Sequence, residues 1–118
     1  MIDPAFEEAQ EFEHIASGLA DAYSRWETGI YLLWYPIKNE ADSRSLERQI
    51  VALKIPKTLR IELVISPVRT KAPLAACGMI IINPPWTLES ELKSLLPPLV
   101  ERLGRRGEGR YRLDWITR

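Results

Sequence analysis

The order of apolar runs and helix signals along these 118 residues predicts an α/β fold whose sheet is mainly parallel and turns antiparallel toward the C-terminus. Three observations carry this. Ile30-Tyr31-Leu32-Leu33-Trp34-Tyr35 is apolar on both faces and closed by Pro36, the pattern of a strand between two helical layers. Met79-Ile80-Ile81-Ile82, opened by Gly78, is a second run of the same kind. Helix-period and strand-period segments alternate from one end to the other, which is how sheets with crossover helices are written in sequence.

The elements follow in order. Asp3 suits an N-cap and Pro4 a first helical position, with Glu7, Glu8, Glu11 and Glu13 in the turns where the helix dipole favours acids. Phe12, Ile15, Ala16, Leu19, Tyr23 and Trp26 then recur at three- and four-residue steps, so this helix lays one stripe on a sheet until Thr28-Gly29 ends it. His14 falls beside that stripe with no Ser or Cys near it and reads as structural. After the first apolar run, Lys38, Asn39, Glu40 and Asp42 form a polar loop at a strand's C-terminal end, where open α/β sheets place ligand crevices. Asp42 or Ser43 can cap a short helix with Leu46, Ile50 and Leu53 inward, stopped before Pro56. Leu59, Ile61, Leu63 and Ile65 alternate with Arg60, Glu62 and Val64, predicting a half-buried strand near an edge. Residues 67–77 read as a connection. Thr87 can cap a helix with Leu88, Leu92, Leu95, Leu96, Leu99 and Leu103 inward, and Pro97-Pro98 should break it in two, the second piece ending at Gly104. Arg110 to Ile116 alternates as a last strand.

One domain, residues 1–118, is all this length requires. No apolar run reaches the roughly 18 residues that cross a bilayer, and the acidic N-terminus is unlike a secretory leader, which predicts a cytoplasmic protein. Cys77 and His14 are the only soft ligands, too few for a metal site. Net charge is zero, yet acids open the chain and Arg102, Arg105, Arg106, Arg110, Arg112 and Arg118 close it. Those arginines either follow phosphates or form a solvated helix end and edge strand.

Two tetrads have the look of an amine-methylating motif, in which an acid or amide before Pro-Pro and an aromatic holds the target amine while the ring stacks on the base. Asn83-Pro84-Pro85-Trp86 is the better letter match, but residues 1–82 hold only the isolated Gly18, Gly29 and Gly78 and no G-x-G to cradle a cofactor. Its plain reading is a strand end fixed by two prolines. Asp3-Pro4-Ala5-Phe6 is one letter off, and alone reads as helix capping.

Taken together, the segments Ile2 to Glu7, Arg25-Trp26, Thr28 to Lys38 with its Tyr35-Pro36-Ile37-Lys38, Leu59 to Leu63, and Gly78 to Trp86 resemble one family across nearly the whole chain. The chain looks like the C-terminal half of the large-subunit ribosomal RNA adenine methyltransferase J family, also described as proteins for the use of external DNA. The resemblance implies a partial Rossmann-like class I methyltransferase sheet and S-adenosylmethionine-dependent methylation of an adenine exocyclic amine in 23S ribosomal RNA. Carried over by position, Asp3 accepts from the amine, Pro4 shapes the turn and Phe6 stacks on the adenine; Ala5 stands where the family has a second proline. The cofactor-binding residues are not identified, because the family's cofactor loop belongs to a preceding half, and the chain alone is expected to be inactive and to bind S-adenosylmethionine weakly or not at all. The alternative is a non-catalytic α/β module for nucleic acid or a partner protein, a homodimer across an open sheet edge being one form of it.

Overall fold

The computed structural model describes residues 11–37, 40–65, 76–104, 107 and 109–118, with side chains from His14 in the first helix and from Ser43 in the second. The elements are α1 (Glu11–Arg25), β1 (Tyr31–Pro36), α2 (Glu40–Ala52), β2 (Thr58–Val64), β3 (Ala76–Ile82), α3 (Leu88–Leu103) and β4 (Arg110–Thr117). Helix and strand alternate as the sequence predicts, but the mainly parallel sheet does not form. Its order is β1-β3-β2-β4 and every neighbouring pair is antiparallel.

The reason lies in the connections. β2 turns back through residues 65–75 into β3, and β3 inserts between β1 and β2. β1 and β2 therefore run the same way and are joined through α2, without being neighbours. An unbroken apolar run reports burial on two faces and says nothing of the direction of the next strand. β2 is accordingly an interior strand, not one near an edge, while β1 is an edge strand among the described residues.

Register sorts the side chains onto two faces. Leu33 and Tyr35, Gly78, Ile80 and Ile82, Arg60 and Glu62, and Arg112 and Asp114 share one face. Helices α1 and α2 cover it, and Ile15, Leu19, Leu46 and Ile50 complete its apolar core with Leu33, Tyr35, Ile80 and Ile82. Each fully buried leucine or isoleucine here stabilises the fold by roughly 1.5–3 kcal/mol. Leu59, Ile81 and Trp115 occupy the other face. There α3 packs with Leu96 buried, and the Trp115 indole N–H donates to a Glu89 carboxylate oxygen at 2.6 Å.

Several local expectations change. Trp26 is 65% exposed because α1 stops at Arg25, and the Tyr31 hydroxyl lies 2.7 Å from the Trp26 carbonyl oxygen and 3.0 Å from that of Ala22, closing the helix end. Ser43 lies inside α2, which starts at Glu40, and serves the sheet instead of capping. α3 is one helix through Pro97 and Pro98, with no break. Both prolines are exposed, so the carbonyls of Lys93 and Ser94 that they leave without N–H partners can be hydrated, while Leu96 holds the helix to the sheet. Thr87 sits at the N-cap, yet its hydroxyl makes no capping bond; its carbonyl accepts from the Glu91 N–H at 3.1 Å. Leu95 and Leu103 are exposed instead of inward.

Candidate functional site

Polar residues on a buried strand must find partners, because an unpaired buried charge costs several kcal/mol. β2 carries two buried charges, Arg60 and Glu62, on the face beneath α2. Arg60, whose side chain is 4% exposed, donates from Nε to Asp114 Oδ1 at 2.9 Å and from Nη2 to Asp114 Oδ2 at 2.6 Å, and its Nη1 meets Glu47 Oε2 on α2 at 3.2 Å. Burial works against the Arg60 charge, but the bonds to Asp114 and Glu47 outweigh it and push the guanidinium above its usual range. In return the Arg60 hydrogen bond holds the Asp114 carboxyl below its ordinary value, against a smaller opposing effect of burial.

Glu62 is reached from three elements. The Tyr35 hydroxyl donates to Glu62 Oε2 at 2.8 Å, the Ser43 hydroxyl donates to the same atom at 2.9 Å, and Arg112 Nη1 lies 3.9 Å from Oε1. Tyr35 stands on β1 and Glu62 on β2, with β3 between them. The ring crosses over Gly78, where any Cβ would overlap it. Burial, then the neighbouring Glu62, drive the Tyr35 phenol upward, so it remains a neutral donor.

Above this network opens a cavity of about 360 Å³, lined by Ile37, Ser43, Arg44, Glu62, Val64, Arg110, Tyr111 and Arg112. It lies where β1 and β2 finish and where β4 begins. Arg44 and Arg110 are exposed and form no ion pair among the described residues. The cleft thus presents guanidinium groups around a mostly buried carboxylate whose Oε1 has, among the described residues, only a distant cation.

Of the residues the sequence singled out, Arg110 and Arg112 reach this cleft, Arg112 also bonding Asp114 at 3.4 Å, whereas Arg118 lies 6.0 Å from the Trp115 ring centre. Arg105 and Arg106, like Asp3, Pro4 and Phe6, lie outside the described residues. His14 is exposed, and burial pushes the half-buried Cys77 thiol upward, against a smaller lowering from a bond to Trp34, so it is no ready nucleophile. Asn83, at a φ of 56°, donates its amide to the carbonyls of Glu27 at 2.7 Å and Gly29 at 2.9 Å, and it sits at the opposite end of the sheet from the cleft. The better letter match is therefore a clamp on the turn between α1 and β1. Sequence reasoning missed Tyr35, Ser43, Arg44, Arg60, Glu62, Tyr111 and Asp114 as a group. A signal existed: Arg60-x-Glu62 and Arg112-x-Asp114 have the same basic-to-acidic order, and antiparallel pairing sets each charge opposite its complement.

The family model described as ribosomal RNA large subunit methyltransferase D, RlmJ, matches residues 1–117. The chain belongs to that family. It is 38% identical over 117 residues to the ribosomal RNA large subunit methyltransferase J of Escherichia coli K12 and 35% identical over 117 residues to that of Haemophilus influenzae. Each match covers 99% of this chain and 42% of the relative, so the chain spans less than half the length of these relatives. The crystal structure of protein LPL1258 from Legionella pneumophila superposes with a TM-score of 0.85 at 35% identity, over 97% of this chain and 42% of that one.

Membership of a methyltransferase family raises the question of its cofactor. Gly78 is covered by Tyr35, Gly104 and Gly109 pack against each other and the Val100 carbonyl, and the arginine-lined cleft would repel the sulfonium of S-adenosylmethionine. The residues described here do not fit that group. No described helix is long and apolar enough to cross a membrane.

Proposed function

We propose that this chain is the target-presenting segment of an S-adenosylmethionine-dependent enzyme that methylates the exocyclic amine of an adenine in 23S ribosomal RNA, and that it is inactive without a cofactor-binding segment of the parent protein. The match over residues 1–117 to proteins named as ribosomal RNA methyltransferases carries the reading. The fold supports it in one respect: β1 and β2, joined through α2, both end at the pole where the cleft opens, the end at which α/β sheets bind ligands. That both ends share a pole also fits a Rossmann-like parent sheet, with a further strand added along the free edge of β1.

In this reading Asp3 accepts a hydrogen bond from the adenine amine, Pro4 shapes the turn and Phe6 stacks on the extruded base. Rate comes from aiming the amine lone pair at the methyl donor, a matter of orientation. Ala5 in place of a second proline leaves the turn more freedom in the unbound state. The ribosomal substrate makes the cytoplasm its place of action. Asp3→Ala in a full-length enzyme carrying this segment is expected to abolish methyl transfer to unmodified ribosomal RNA, and retained turnover removes Asp3 from its role. Isothermal titration of the 118-residue chain with S-adenosylmethionine should show no saturable binding; micromolar binding would overturn the need for a second segment.

A second reading, a non-catalytic module for nucleic acid or a partner protein, draws on the unpaired edge of β1 among the described residues. A second copy of the chain pairing there would sediment as a dimer, and a monomer at high concentration removes that form of it.

A further inference from the structure

We infer that the cleft above Glu62 binds one ribonucleotide unit of an RNA strand, with Arg44 and Arg110 holding its phosphates and Glu62 Oε1 accepting from its ribose 2′-hydroxyl. The inference rests on the RNA substrate proposed above and extends it to a site away from Asp3, Pro4 and Phe6.

Three features of the cleft select this ligand. Its volume of about 360 Å³ suits a nucleotide and is larger than an inorganic phosphate needs. Arg44 and Arg110 are exposed and have no carboxylate partner among the described residues, so binding a phosphate breaks no ion pair that the fold uses. A bare anion would meet the Glu62 carboxylate in the cleft wall, and that repulsion argues for a ligand offering a hydrogen-bond donor beside its negative charge. A ribonucleotide has both, and a deoxyribonucleotide lacks the donor at the 2′ position.

Glu62 itself is held ready. Tyr35 and Ser43 both donate to Oε2, which fixes the carboxylate and, among the described residues, leaves Oε1 facing only Arg112 at 3.9 Å. The network described above thus serves two ends: it satisfies a buried carboxylate, and it aims one oxygen at the cleft.

The test is fluorescence anisotropy with the folded 118-residue chain and a labelled single-stranded RNA octamer, beside the same sequence as DNA. Arg44→Glu with Arg110→Glu should weaken RNA binding at least tenfold. Lys93→Glu with Arg102→Glu on α3, an equal change of charge, should weaken it less than threefold. Equal loss in the two double variants overturns the cleft as the site while leaving RNA as the substrate. RNA and DNA bound equally well would overturn the role of Glu62. A folded chain that binds no RNA overturns the whole inference; methyl transfer by the full-length enzyme decides the proposed function separately.

Discussion

The two ends of the sheet carry similar chemistry in opposite states. Where β1 and β2 finish, Arg44, Arg110 and the Oε1 atom of Glu62 line an open cleft with capacity to spare. Where β3 finishes, Asn83 commits its amide to two carbonyls and Trp86 stands 94% exposed beside it. By letters alone the second end is the better candidate for binding an amine. Hydrogen-bond partners reverse that order, because both N–H groups of the Asn83 amide are committed at 2.7 and 2.9 Å, which locks the side chain onto the turn before β1. Letters identify a group; its existing bonds decide whether it is available.

The change with the largest expected effect strikes the supports of the cleft. Gly78→Ala puts a methyl into the Tyr35 ring, which must swing away from Glu62 or push β3 aside. Overpacking plus a broken buried hydrogen bond should cost about 3 kcal/mol or more, lowering the melting temperature by roughly 10 °C. Urea unfolding measures it, and a loss under 1 kcal/mol would show that the ring does not lie across the strand. Tyr35→Phe should be milder and still weaken RNA binding, since Glu62 is then fixed by Ser43 and Arg112 only.

Asp114 sharpens the same end through pH. Its folded-state carboxyl is held low by Arg60, so its contribution to stability is complete above the ordinary aspartate value of about 4 and disappears as pH falls through the lower folded value. Asp114→Asn should therefore cost about 2–3 kcal/mol at neutral pH, where buried Arg60 keeps only Glu47, and the gap to the wild type should narrow steadily below about pH 4. Denaturant unfolding across that range checks it; a gap that stays constant into acid would mean that Arg60 does not depend on the Asp114 charge.

How much of this could be read in advance differs by element. The alternation of helices and strands, the core positions Ile15, Leu19, Leu33, Leu46 and Ile50, and the last strand follow from periodicity, which records burial directly. Strand direction does not follow, since it depends on where β2 returns after Val64, and that choice is made by pairing with distant residues. Arg60 and Glu62 suggested a half-buried strand near an edge because charges are seldom buried; their partners lie 54 residues away at Asp114 and 27 away at Tyr35. The continuity of α3 through Pro97-Pro98 was likewise beyond local rules, since it needs both rings on the wet side. For the site, the arginines were visible as a charge pattern, whereas the cleft they border exists only after the sheet forms.

The smallest effects are expected at the other end, and they are the most discriminating. Asn83→Ala loses two hydrogen bonds and leaves an alanine at a φ of 56°, where asparagine is tolerated better, so about 1–2 kcal/mol of stability should go. Trp86→Ala removes a ring that is almost wholly in solvent and should change stability by less than about 0.5 kcal/mol. Neither should alter RNA binding by more than about twofold once measured well below its melting temperature. If Trp86→Ala weakened RNA binding tenfold with stability intact, the exposed ring would be a stacking platform, and the contrast between an engaged end and an available one would fail where the sequence motif looked best.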